Sequence, residues 1–188
     1  MTVTARLPSS ERSARVQRRA WVVGGALLGS IAGVIGTGWQ PTAVVGPVLG
    51  ILGAVAAEAD LRARRIPDRL IGAGLVAAVV IAVVAELGDS ARPALSMAVG
   101  AAMAALPLLI VHLVAPAQAG FGDVKLSALI GALLGVIWWS LGVLALFCGM
   151  LLALLGVGLR LWPTRSIPFA ACLATAAVGC LAISGWVP

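Results

Sequence analysis

Charge is what this chain has least of. Thirteen basic and seven acidic residues make up 11% of its 188 positions, where a soluble domain carries roughly 25%. With 61% apolar residues and a mean hydropathy of +1.09, the apolar surface exceeds what so small a soluble core could bury. The solvent must be lipid. Histidine occurs once, as His112, and there is no His-Glu-x-x-His pattern, which excludes the usual zinc hydrolase. No metal or cofactor is expected. The three cysteines, Cys148, Cys172 and Cys180, lie inside apolar runs without ligand spacing or a disulfide arrangement. They read as small helix- or lipid-facing residues. Gly-x-Ser-x-Gly is missing, which removes the common serine hydrolases, and no glycine run leads into Gly-Lys-Ser/Thr, which removes a phosphate loop.

What remains is a series of apolar runs punctuated by short polar segments. Residues 1–19 hold Arg6, Arg12, Arg15, Arg18 and Arg19 with no apolar periodicity and are expected to form a disordered or loosely helical cytoplasmic tail. Residues 20–188 form the membrane-embedded domain. Spans are expected over 20–39, 42–59, 70–85, 94–114 and 169–187. The basic segment before the first span also fits a signal peptide, but the run is long and no Ala-x-Ala site follows it. Between Lys125 and Arg160 lie 34 residues without formal charge. One helix of that length would be about 50 Å long, against roughly 30 Å of hydrocarbon. This stretch therefore holds two more spans, turning near Trp138–Gly142, where paired tryptophans suit the interface. The fold class is all-α: a polytopic membrane bundle of about seven helices.

The net charge of +6 would suggest nucleic acid in a soluble protein. Here the basic residues flank apolar runs, so no nucleic-acid partner is implied. With an inside N-terminus, 12 of the 13 basic residues fall in cytoplasmic segments, and Arg92 alone falls outside. Glycine, with 23 residues, recurs at Gly24, Gly25, Gly29, Gly33, Gly46, Gly50, Gly53, Gly131 and Gly135, as close helix packing in a membrane requires.

Two acids stand at the borders of apolar runs on the cytoplasmic side. Asp60 closes the second run and opens the segment Leu61-Arg62-Ala63-Arg64-Arg65-Ile66-Pro67-Asp68. Asp123 lies in Gly120-Phe121-Gly122-Asp123-Val124-Lys125-Leu126. A carboxylate so placed is costly and marks function, and two of them are the minimum equipment of an aspartyl protease. The bland alternatives are a helix cap for Asp123 and an ion pair with Arg64 for Asp60. Gly120 and Gly122 offer a flexible, side-chain-free backbone that a substrate strand could approach. Asp68 reads as a helix-dipole acid and Glu58 as a solvated interfacial group. Lys125 either snorkels to headgroups or tunes the charge near Asp123.

The segment from Gly120 to Leu126 resembles the GxGD segment of type IV prepilin peptidases. Asp60 to Asp68 resembles their first-aspartate loop, and Ile167-Pro168-Phe169-Ala170 resembles their Pro-Phe-Gly-Pro segment, with Ala170 and Ala171 in place of Gly and Pro. The resemblance implies a membrane aspartic endopeptidase with Asp60 and Asp123 as the catalytic pair. Gly120, Gly122, Lys125, Pro67, Asp68, Pro168 and Phe169 are the accompanying motif or substrate-contact positions. It implies prepilin or pseudopilin substrates with a basic leader, a Gly before the scissile bond and an apolar helix after it, and a location in the cell membrane. The bifunctional members also carry a cysteine-bearing insertion. This chain has no Cys-x-x-Cys, so peptidase activity alone is expected. The rival readings are a relative of signal peptide peptidases, whose Pro-Ala-Leu motif is missing, and a transporter or assembly factor, which would place polar groups in mid-span.

Overall fold

The computed structural model describes residues 9–38, 40–63, 66–87, 92–116, 120–159 and 168–186. Among them the backbone is helical throughout, with seven α-helices: α1 (Ser9–Thr37), α2 (Val45–Ala63), α3 (Asp68–Leu87), α4 (Pro93–Val114), α5 (Phe121–Gly135), α6 (Trp139–Gly158) and α7 (Phe169–Ile183). Single 3-10 turns lead into α2 and follow α7. Proline sets several of the starts. Pro67 directly precedes α3, Pro93 is the first residue of α4, and Pro168 is the N-cap of α7. Its fixed φ and missing N–H suit the first turn, and Pro107 inside α4 is the exception.

The segments 70–85 and 94–114 thus appear as α3 and α4, and the span expected from 169 appears as α7, which ends at Ile183. Four stretches are long and apolar enough to cross a membrane: Thr42–Leu61, Asp68–Leu87, Pro93–Val114 and Trp139–Gly158. Their outer faces carry exposed Val76, Val80, Val84, Leu151 and Leu154, an apolar surface suited to lipid. The chain is a multi-pass membrane protein.

Three boundaries differ from the sequence reading. The first helix starts at Ser9 rather than Ala20, so the basic segment continues the span as helix. The second helix runs past Asp60 to Ala63. Leu61, Arg62 and Ala63 are good helix formers, and the restriction imposed by Pro67 falls only on Ile66. Asp60 therefore stands within a helix, not at the mouth of a loop. The turn between the fifth and sixth helices lies at Val136–Trp138, earlier than expected, because Trp138 is already the N-cap of α6. Arg64, Arg65, Asp89, Arg160, Arg165 and Ile167 lie outside the described residues.

At 15 residues, α5 is only about 22 Å long. It tolerates this because it is the central helix: of the ten residues from Leu126 to Gly135, all but Ala128 are buried. Glycine makes that position possible. A Cβ on Gly131 would stand 2.6 Å from the Ala104 methyl and in hard contact with the Gly100 carbonyl oxygen on α4. The same relation joins α1 to α2, where Gly29 meets Gly46 and Gly25 meets Gly50, backbone on backbone. Gly24 is the exception among the expected packing glycines, with open space beside it. The end of α2 and the starts of α3, α5 and α7 thereby meet at one end of the bundle.

Candidate active site

Each of the two border acids is held by the start of a helix. Asp60 projects from the last turns of α2, and its Oδ2 accepts the N–H of Ala170, at 3.2 Å, in the first turn of α7. That N–H belongs to the donors a helix leaves unpaired at its beginning. Ala170 is fully buried behind Pro168, also buried, and Phe169, which packs on the core. The departure from Gly at position 170 therefore leaves the donor in place. Sequence reasoning missed this contact. It joins residues 110 positions apart, and no local signal marks a backbone N–H as the partner of a distant carboxylate.

Asp123 occupies the third position of α5, and Gly120 is the N-cap. The backbone N–H of Asp123 donates to the Gly120 carbonyl at 3.0 Å, and its carboxylate accepts from the Gly120 N–H. Asp123 is thus not the N-cap that the bland reading proposed; it reaches back to the cap from inside the helix, as the acid of a capping box does. Its carboxyl lies in the 115–125 segment, ahead of the apolar span. Burial raises its pKa above the ordinary carboxylate value, the negative charge of Asp60 raises it further, and the Gly120 N–H pulls the other way. The effect of Asp60 on Asp123 means that the two carboxyls are electrostatic neighbours.

The glycines of the motif need no special backbone conformation. Gly120 has φ −70°, and Gly38 is the one glycine with positive φ among the described residues. Their contribution is space. A Cβ on Gly122 would meet nothing nearer than the Ile66 side chain at 3.9 Å, so the surface beside Asp123 stays open.

Lys125 has a partner that neither expectation named. Its Nζ donates to Asp68 Oδ1 at 2.6 Å and lies 5.1 Å from the centre of the Phe121 ring. Phe121 in turn lies against His112 in the last turn of α4, with ring centres 5.5 Å apart. Asp68 does sit in the first turn of α3, as its helix-dipole reading required, and there it ties α3 to α5. The pair is exposed, at 79% for the Asp68 side chain, so its coupling should be small. A double-mutant cycle with Asp68→Asn and Lys125→Gln, read by unfolding in detergent, is expected to give under about 1 kcal/mol. A much larger coupling would mean that the pair is shielded from solvent by something bound.

Pro67 is exposed at the entry to α3. Glu58 is half-buried and has an interaction partner. Cys172 and Cys180 are buried and Cys148 is half-buried, and all three are free thiols facing helices. Among the described residues no three of His, Cys, Asp and Glu converge.

The arrangement supplies two neighbouring, half-buried carboxyls with an open glycine surface next to one of them. A protein-family model described as the type IV leader peptidase family matches residues 47–180, a range that contains Asp60, the Gly120–Asp123 motif and Pro168–Phe169. No curated protein and no solved structure matches the chain.

Proposed function

The chain belongs to the type IV leader peptidase family, and from that premise we propose that it is an aspartic endopeptidase with Asp60 and Asp123 as its catalytic pair. Its substrates are prepilin-like proteins, cut between a short basic leader and an apolar helix at the cytoplasmic face of the cell membrane. The observation that carries this reading is the proximity of the two acids at one end of the bundle, where burial and the charge of Asp60 raise the pKa of Asp123. The excess of basic residues in the segments at that end supports its cytoplasmic orientation.

The division of labour follows from the surroundings. Both carboxyls accept a helix-start N–H, so helix dipoles favour charge on each. Burial, acting on Asp123, sends the shared proton there. Asp60, ionised, takes a proton from water, whose oxygen attacks the scissile carbonyl carbon. Asp123 donates its proton to the carbonyl oxygen as the tetrahedral intermediate forms. On collapse the C–N bond breaks, Asp60 passes its proton to the departing nitrogen, and Asp123 recovers a proton from the intermediate's hydroxyl.

The pair must then hold one proton to work. Activity should fall at low pH as the pair takes up a second proton, and at high pH as it loses its last one. The sign of the Asp123 shift sets the alkaline limb: a raised pKa keeps the acid protonated above the usual carboxylate range. The test is processing of a prepilin by the protein in vesicles, with the products weighed and kcat/KM followed against pH. Release of the leader with a bell-shaped profile is expected. An intact substrate would overturn the function, and cleavage with no acid limb would overturn the dyad.

A further inference from the structure

The end of the bundle opposite the aspartates holds a groove of about 1250 Å³ between the end of α1 and the first half of α4, floored by the turn into α6. Helices α1 and α4 share no packed interface, so the groove is a gap in the wall of the bundle. From its contents we propose that it is a resident site for one phospholipid with an anionic headgroup, the phosphate held by Arg92 and an acyl chain lying along α4. This inference concerns the opposite leaflet and does not depend on the peptidase reading.

Four observations point to this occupant. The first is size: clefts for small soluble ligands measure about 300–1,000 Å³, and this one is larger. The second is the gradient of its lining. Along α4 the lining runs from Arg92 and Ser96 at the helix start to Val99 and Met103 one to two turns farther in. An amphiphile has that polarity and a soluble metabolite does not. The third is depth. From Pro93 to Met103 the groove follows α4 for about 15 Å, half of the roughly 30 Å core and therefore one leaflet. A substrate helix arriving from the aspartate end would need the other half as well.

The fourth is charge. Arg92 is the single basic residue that breaks the charge asymmetry of the chain, and it has no ion-pair partner among the described residues. It is also the one non-glycine residue among them with positive φ, at 58°, a conformation disfavoured for a residue with a Cβ. Arg92 lines the groove. Trp138 and Trp139 line the same mouth, each somewhat over 40% exposed, at the depth where tryptophan meets headgroups. A guanidinium binds phosphate through paired charged hydrogen bonds.

The test is native mass spectrometry of the whole chain released from mild detergent, with phosphatidylglycerol, phosphatidylcholine or inorganic phosphate added in turn. Wild type should retain one phosphatidylglycerol, about tenfold more than phosphatidylcholine, and Arg92→Gln should remove that preference. Val99→Trp, which fills the apolar half, should lower retention of both lipids. Thermal unfolding without added lipid identifies any variant that has not folded, and the lipid preference of wild type stands as a test by itself. Equal retention of both lipids, binding of inorganic phosphate alone, or displacement of the lipid by a peptide of the substrate's apolar helix would each overturn the proposal.

Discussion

Asp60→Asn and Asp123→Asn should each lower prepilin processing by about 10²–10⁴-fold, the range of a general acid or base, and the double variant should be little worse than either. Residues acting as one unit give such non-additive losses. Asparagine is the informative replacement at position 60. Its amide oxygen still accepts the Ala170 N–H, so the start of α7 stays where Asp60 holds it. Asp60→Ala would instead leave that donor buried and unpaired, adding about 1–3 kcal/mol of instability to any catalytic effect. At position 123 the amide oxygen likewise keeps the Gly120 N–H while the titratable proton is lost. Asp68→Asn and Glu58→Gln, in the same membranes, should retain substantial processing. The assay is cleavage of a candidate prepilin in membranes lacking other leader peptidases. Persistent processing by either aspartate variant would refute the assignment.

Gly131→Ala should destabilise the protein by about 1–3 kcal/mol or more, although alanine is favoured over glycine in a helix by about 1 kcal/mol. The added methyl meets the Gly100 carbonyl oxygen and the Ala104 methyl, and neither is the far end of a flexible side chain. Relief requires α4 and α5 to separate. Because Asp123 rides on the first turn of α5, processing should fall together with stability. Two other glycines give the contrast. Gly72 lies inside α3 with nothing within 4 Å of a new Cβ, so Gly72→Ala should be neutral or stabilising. Gly122→Ala should also leave the fold intact, since its Cβ would have 3.9 Å of clearance. A loss of processing there, with unchanged unfolding, would report on substrate approach. Equal stability of wild type and Gly131→Ala would show that the close α4–α5 contact is absent in the membrane.

Local chemistry explains which features were legible before the fold was known. A carboxylate at the edge of an apolar run stands out because burying it is expensive, so Asp60 and Asp123 were conspicuous from sequence. Three pieces of motif in order, each at a span boundary, supplied the family, which the match over residues 47–180 then bore out. The end of α2 was misplaced because no residue from Leu61 to Ala63 breaks a helix. The two readings of Lys125 could not be separated for a different reason. Its partner, Asp68, is 57 positions away, and long-range ion pairs leave no periodic trace.

Composition and periodicity by themselves determined that the chain crosses a membrane as helices, for unpaired backbone groups are intolerable in hydrocarbon and helices satisfy them internally. They also determined which helix ends share a side, since successive spans must alternate. Only tertiary packing decided that the shortest helices are the most enclosed, that α7 offers the Ala170 N–H to Asp60, and that burial raises the pKa of Asp123. Those are properties of distance between chain-remote atoms. Desolvation and hydrogen bonding act over a few ångströms of space, and the sequence specifies that space only through the glycine contacts that let α4 and α5, and α1 and α2, approach backbone to backbone.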